Sequence, residues 1–112
     1  MPKNIVVLVS GGGTNLQALI DAQSRGEILN GAITAVISSR PDAYALERAK
    51  TAGIPGYVVA RKDFPGNREM TQALVAKLRE LKADLVVLAG FMHILTEEMV
   101  QAYPNAILNV HP

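Results

Sequence analysis

Cysteine is absent from this 112-residue chain, which excludes disulfides and thiolate metal sites. The two histidines are far apart in sequence and make a poor metal site, so we expect no bound metal. Aromatic residues make up only 4% of the chain, and the net charge is +1. This composition gives no base-stacking platform and no electrostatic reason to bind nucleic acid or an anionic membrane. No apolar run approaches the ~20 residues that are needed to span a bilayer.

The residues that are present indicate one globular domain. The chain is 49% hydrophobic and 19% charged, a balance typical of folded rather than disordered proteins. The first residues run directly into a predicted strand and contain no signal-peptide cleavage pattern, so we expect a cytoplasmic protein.

Five apolar segments alternate with four helical patterns along the chain. The strands are predicted at residues 5–9, 32–38, 57–59, 84–89 and 106–110. The third helix is the clearest, because its apolar residues repeat at helical spacing: Met70, Leu74, Leu78 and Leu81. This alternation predicts an α/β fold, a doubly wound parallel sheet of five strands in the order 3-2-1-4-5 with helices on both faces.

The sequence is organised around residues 5–16, IVVLVSGGGTNL, in which a buried strand turns through three glycines into a helix. Thr14 and Gln17 have the spacing of a capping box, so the Thr14 hydroxyl is predicted to accept from a backbone amide of the first turn. The free amides and positive dipole end of such a helix suit a phosphate or another anion. A glycine-rich turn without a ligand remains the alternative.

The same loop indicates which kinds of nucleotide it could bind. No Gly-Lys-Ser/Thr follows the glycines, which rules out a P-loop. The dinucleotide fingerprint also fits poorly, because Leu16 stands where its third glycine belongs and no acid ends the second strand. Arg40 could accept a 2′-phosphate, so an NADP-binding oxidoreductase stays open as an alternative. A non-catalytic nucleotide-binding module is a second alternative. As a ligand for the loop, the phosphate of a nucleotide smaller than a dinucleotide fits better.

A second polar cluster is predicted at the end of the fifth strand. Asn109 and His111 are two residues apart, so their side chains point to the same face. An amide can stabilise a developing oxyanion and an imidazole can transfer protons near neutrality, which together suit acyl-type chemistry. Each residue alone has an alternative interpretation: Asn109 as a turn-forming polar residue that ends the strand, and His111 as a solvent-exposed residue before a proline. We expect residues 11–15, 90–95 and 109–111 to converge on a crevice between strands 1 and 4.

The loop at residues 90–95, GFMHIL, is apolar where a polar loop is expected. It is either a connection buried under the core or one wall of a pocket for a flat aromatic ligand. His93 by itself is more typical of a surface residue. Arg68 becomes relevant only if a carboxylate ligand reaches it.

Three stretches in the same order, SGGGTNLQALI, ADLVVLAGFMHIL and LNVHP, resemble the phosphoribosylglycinamide formyltransferases, folate-dependent enzymes of purine synthesis. The resemblance covers all 112 residues and implies the Rossmann-like formyltransferase fold. It also implies transfer of a formyl group from the co-substrate 10-formyltetrahydrofolate to the amine of glycinamide ribonucleotide.

The resemblance assigns roles to individual residues. The ribonucleotide phosphate is expected at Gly13, Thr14 and Asn15. Asn109 would orient the formyl oxygen, and His111 would be the general acid that moves protons through the tetrahedral intermediate. The folate co-substrate is expected to contact the following set: Arg68, Met92, His93, Ile94, Leu95 and Asn109.

The chain departs from the family in two ways. His93 stands where the family usually has Arg, and family members continue for roughly as long again beyond Pro112. We therefore interpret residues 1–112 as the amino-terminal, nucleotide-binding half of a formyltransferase domain, ending just after the Asn-x-His-Pro motif. We expect this half to be inactive alone and to need a carboxyl-terminal half as partner. A homodimer is left open.

Overall fold

A computed structural model describes residues 2–110. Its five strands form one parallel sheet in the order β3-β2-β1-β4-β5, which confirms the predicted topology. The strands are β1 Lys3–Val9, β2 Gly31–Ser38, β3 Gly56–Val58, β4 Leu85–Ala89 and β5 Ile107–Val110. The helices are α1 Thr14–Ser24, α2 Tyr44–Thr51, α3 Asn67–Glu80 and α4 Glu97–Ala102, with a short 3₁₀ turn at Arg61–Asp63.

The sheet lies between two helical layers, as predicted. Helices α1 and α2 pack on one face through side chains such as Leu16 and Ala45. Helices α3 and α4 pack on the other through side chains such as Leu74 and Met99. The central strand β1 is apolar throughout its second half because both of its faces are buried, and residues 6–9 are 0% exposed.

The strand register brings the loops that follow β1, β2 and β4 together. Val9 pairs with Ser38, Leu8 with Leu88, and Ala89 with Val110. The carboxyl ends of β1, β2, β4 and β5 therefore meet at one edge of the sheet, which we call the carboxyl rim.

Candidate functional site

A crevice of about 470 Å³ opens at the carboxyl rim. Its walls come from the loops that follow β1, β2 and β4, at the point where the chain's winding reverses direction. The lining residues are Ser10, Gly11, Gly12, Gly13, Thr14, Asn15, Arg40, Ala89, Gly90, Met92 and His93. The predicted convergence of residues 11–15 with the loop after β4 is confirmed.

The glycine loop, residues 11–13, enters α1 through a left-handed residue. Gly13 has φ 80° and ψ 27°, and its carbonyl accepts from the Gln17 amide at 2.8 Å. Gly13 is therefore the capping residue, and no side chain caps the helix. The predicted capping role of Thr14 is wrong, because Thr14 is already the first helical residue.

Helix α2 holds the glycine loop from behind. The Ala45 amide donates to the Gly11 carbonyl at 3.1 Å, and the Arg48 Nε donates to the Gly12 carbonyl at 2.7 Å. These bonds direct both carbonyls toward α2. The amides at the start of α1 have no acceptor within the helix, and so they are available to a ligand in the crevice.

Arg48 is fixed by more than one contact. Its Nη1 lies 3.3 Å from the Gln17 side-chain oxygen, and its guanidinium lies 5.0 Å from the centre of the Tyr44 ring. Arg48 therefore joins the glycine loop, α1 and α2 through a single side chain. This role could not be predicted from the amino-acid pattern, since an arginine on a short helix usually points into solvent.

Buried hydroxyls link the strand ends at the rim. The Met92 amide donates to Ser10 Oγ at 2.9 Å, and Ser10 Oγ lies 2.8 Å from Ser39 Oγ. Ser39 Oγ in turn lies 3.0 Å from His93 Nε2. Both serines are 3% exposed. We call these four residues the hydroxyl chain. Neither serine is predicted as a site residue from the sequence, although each stands directly after an apolar strand, where polar site residues collect.

His93 is part of the crevice wall. Its ring packs edge-on against Phe91, with centroids 5.5 Å apart. Burial lowers the pKa of His93 below its ordinary value of 6.5, and the positive charge of Arg61 lowers it further. The imidazole is therefore neutral at physiological pH. Unlike an arginine, it brings no positive charge to the wall.

The other residues of the loop after β4 divide between the two sides of its backbone. Met92 and Ile94 are 78% and 74% exposed, and only Met92 lies in the crevice lining. Phe91 and Leu95 pack into the core between the sheet and α3–α4. The loop thus anchors in the core and also contributes to the crevice wall, while the flat aromatic ligand of the second interpretation stays a prediction.

Arg68 lies away from the crevice lining. Its Nε donates to a Glu98 carboxylate oxygen at 2.8 Å, which links α3 to α4. The Thr96 hydroxyl and the Glu98 backbone amide, followed by Arg68, lower the pKa of the Glu98 carboxyl. Arg68 is thus already paired with an ionised partner.

The end of β5 lies beside the crevice. The Asn15 side-chain amide is 3.5 Å from the Val110 carbonyl, which ties the start of α1 to β5. Asn109 pairs with Leu88 across β4, and its side chain is exposed. The predicted catalytic His111 lies outside the described residues.

Residues 2–110 contain neither a candidate metal cluster nor a candidate membrane-spanning helix. In that part of the chain, no three His, Cys, Asp or Glu side chains are grouped so that they could hold a metal ion. No helix there is long and apolar enough to cross a membrane.

The fold and crevice define a class of protein: a parallel α/β domain whose glycine loop and strand-end polar residues share one rim. Residues 3–112 match the family model described as Formyl transferase. The chain belongs to the formyl transferase family.

Individual relatives narrow the comparison. The chain is 51% identical over 110 residues to the phosphoribosylglycinamide formyltransferase of Haemophilus influenzae, covering 98% of this chain and 51% of that protein. The crystal structure of glycinamide ribonucleotide transformylase 1 from Symbiobacterium toebii superposes with a TM-score of 0.92 at 43% identity. That superposition covers 99% of this chain and 52% of the other.

The human trifunctional purine biosynthetic protein adenosine-3 is 41% identical over 108 residues, which are 96% of this chain and 11% of that protein. The chain thus spans about half the length of the Haemophilus and Symbiobacterium proteins. These matches confirm the resemblance read from the motifs and give no support to the NADP-binding alternative.

Proposed function

We propose that the chain takes part in transferring a formyl group from 10-formyltetrahydrofolate to the amine of glycinamide ribonucleotide. The proposal rests on one observation above all. In a chain of this family, the open amides of α1 and the loop after β4 wall one crevice, on the same rim as Asn109. A phosphate group and a formyl-transfer centre can therefore lie within one small substrate's length of each other.

The ribonucleotide phosphate is proposed to bind at Gly13, Thr14 and Asn15. All three line the crevice at the amino end of α1, where unpaired amides and the helix dipole favour an anion. The Thr14 hydroxyl makes no capping bond, so it can donate to a phosphate oxygen.

The formyl donor is proposed to lie along the loop after β4, in contact with Met92, His93, Ile94 and Leu95. Met92 and His93 support this best, because both line the crevice. Leu95 would act from the core side, by fixing the loop. For Arg68 to contact the folate, its guanidinium would have to share or leave the Glu98 carboxylate.

Asn109 and His111 are proposed to catalyse the formyl transfer. As the ribonucleotide amine attacks the formyl carbon, the Asn109 amide would donate to the formyl oxygen, where negative charge develops. His111 would carry the proton from the amine to the departing folate nitrogen. Asn109 would also contact the folate as it does so.

We further propose that residues 1–112 act as the amino-terminal half of a formyltransferase domain. The chain matches about half of the length of the Haemophilus and Symbiobacterium proteins, and β5 lies at the sheet edge with Leu108 55% exposed. A carboxyl-terminal half would then complete the donor pocket. Cytoplasmic location stays a prediction, and the homodimer stays open.

Formyl transfer to glycinamide ribonucleotide tests the proposal directly. The purified 112-residue chain should be inactive alone and active when mixed with the carboxyl-terminal half of the Haemophilus influenzae relative. Transfer by the chain alone would contradict its role as a half. A folded mixture without transfer would contradict the assigned reaction.

Thermal shift separates the ligand classes on the chain by itself. Glycinamide ribonucleotide should raise the unfolding midpoint, because a ligand that binds only the native state stabilises it. NADP should not raise the midpoint, and a folate should do so only weakly. A midpoint raised by NADP and not by the ribonucleotide would overturn the proposal.

A further inference from the structure

The hydroxyl chain has a direction that follows from counting its protons. The Met92 amide can only donate, so Ser10 Oγ accepts from it. If the single Ser10 proton goes to Ser39 and the single Ser39 proton goes to His93 Nε2, each buried hydroxyl donates once and accepts once. In this arrangement His93 Nε2 carries no proton, and the ring proton is on Nδ1.

The opposite direction leaves a buried proton without an acceptor. If His93 Nε2 carried a proton and donated to Ser39, Ser39 would donate to Ser10. Ser10 would then accept from both Ser39 and the Met92 amide, and its own proton would have no acceptor among these partners. Ser10 is 3% exposed, and an unpaired polar group that is buried to this degree is costly. The neutral Nδ1–H imidazole satisfies the whole chain.

The surroundings of the ring also disfavour a charged imidazole. A second cavity of about 630 Å³ adjoins the ring and is shared with three cationic side chains, those of Arg40, Arg61 and Lys62. The carboxylate of Asp42 lines it too, but it is paired with Arg40 at 3.1 Å. No carboxylate in the described part of the chain forms an ion pair with His93.

We propose that Ser10, Ser39 and His93 are positioning residues: the neutral Nδ1–H imidazole accepts the Ser39 hydroxyl, and the resulting chain fixes the Met92 amide and the crevice wall. The three loops after β1, β2 and β4 are thereby locked to one another. Protonation of His93 reverses the chain and destabilises the wall, because the buried Ser10 proton is then left without an acceptor among these residues. The His93 tautomer and the contacts between the loops are properties of the 112-residue chain by itself. Only their kinetic consequence rests on the proposed function.

Nuclear magnetic resonance of the 112-residue chain tests the proposal. The ¹⁵N shifts of the ring should identify a neutral His93 with its proton on Nδ1, and substitution of His93 separates its signals from those of the second histidine. A proton on Nε2 at neutral pH would overturn the proposal.

Amide hydrogen exchange at Met92 tests the coupling. Ser39→Ala should speed exchange about fivefold to tenfold, which is the change in the opening equilibrium that the net free energy of one hydrogen bond produces. His93→Gln should keep slow exchange, because its amide oxygen can accept from Ser39. His93→Phe should speed exchange, because it keeps an aromatic ring but has no acceptor. If His93→Phe does not fold, Ser39→Ala against wild type still decides. Unchanged Met92 exchange in Ser39→Ala would contradict the coupling.

The kinetic consequence is measured on the chain mixed with a carboxyl-terminal half. Ser39→Ala should raise the KM for the formyl donor severalfold and leave kcat nearly unchanged. A fall in kcat alone would refute a positioning role. If wild type itself shows no transfer, the proposed function fails, while the tautomer and exchange results still decide this proposal.

Discussion

Replacing Gly13 by alanine should destabilise the chain much more than the same change one residue earlier. A Cβ at Gly13 would lie 2.7 Å from Ala45 Cβ and 2.8 Å from Ala45 Cα, so helix α2 itself must move. The left-handed backbone, with φ 80°, adds a conformational cost of about 1–2 kcal/mol. Overpacking of this kind costs about 1–3 kcal/mol more. The sum, about 2–5 kcal/mol, is a large part of a small domain's stability.

Urea unfolding measures this loss, with Gly12→Ala as the matched control. A Cβ at Gly12 meets nothing within 4 Å, and its φ is not left-handed, so its midpoint should stay near that of wild type. Ala45→Gly in the Gly13→Ala background removes the 2.7 Å contact but leaves the contact with Cα. A double-mutant cycle should therefore show partial recovery. Equal midpoints for Gly13→Ala and Gly12→Ala would refute the argument that α2 packs tightly on the loop.

Four other predictions follow from the site. Arg48→Met should lower the free energy of unfolding by about 1.5–3 kcal/mol in urea, because it removes a charged donor from the Gly12 carbonyl. The pKa of His93 is lower in the folded chain than its ordinary 6.5, so the unfolded chain binds more protons between the two values. Thermal stability should therefore fall as the pH drops from 6.5 to the pKa of His93 in the folded chain, and should level off below that pKa. His93→Gln should abolish this part of the pH dependence. Arg68→Met should leave the urea midpoint unchanged, because its ion pair with Glu98 lies at the surface. Asn109→Ala, at an exposed position, should keep the midpoint but reduce formyl transfer in the mixed halves about 100-fold or more.

The sheet order could be predicted from sequence because each strand is a separate apolar run and each helix has its own periodicity. The strand boundaries in the structure differ slightly from the predicted ones where polar residues extend a strand, as Lys3 and Asn4 do at the start of β1. The third strand was displaced by one residue, to Gly56–Val58. Such short strands are fixed by pairing with a neighbour rather than by their own composition.

The crevice could be predicted as a meeting of loops, but its internal contacts could not. The bond from Arg48 to Gly12 joins residues 36 apart in sequence, and it exists only because α2 packs over the glycine loop. The capping prediction for Thr14 was wrong by one position, since the spacing rule does not foresee a left-handed Gly13 as the capping residue. The pairing of Arg68 with Glu98 likewise depends on how α3 meets α4, which neither helix encodes alone.

The central claim is that the amides at the start of α1 hold the phosphate of the ribonucleotide. Titration of the ¹⁵N-labelled chain with glycinamide ribonucleotide, followed by amide chemical shifts, tests it most directly. We expect saturable shifts centred on residues 11–15, and none there with the unphosphorylated riboside. Shifts centred elsewhere, or none in residues 11–15 at saturating ligand, would contradict it.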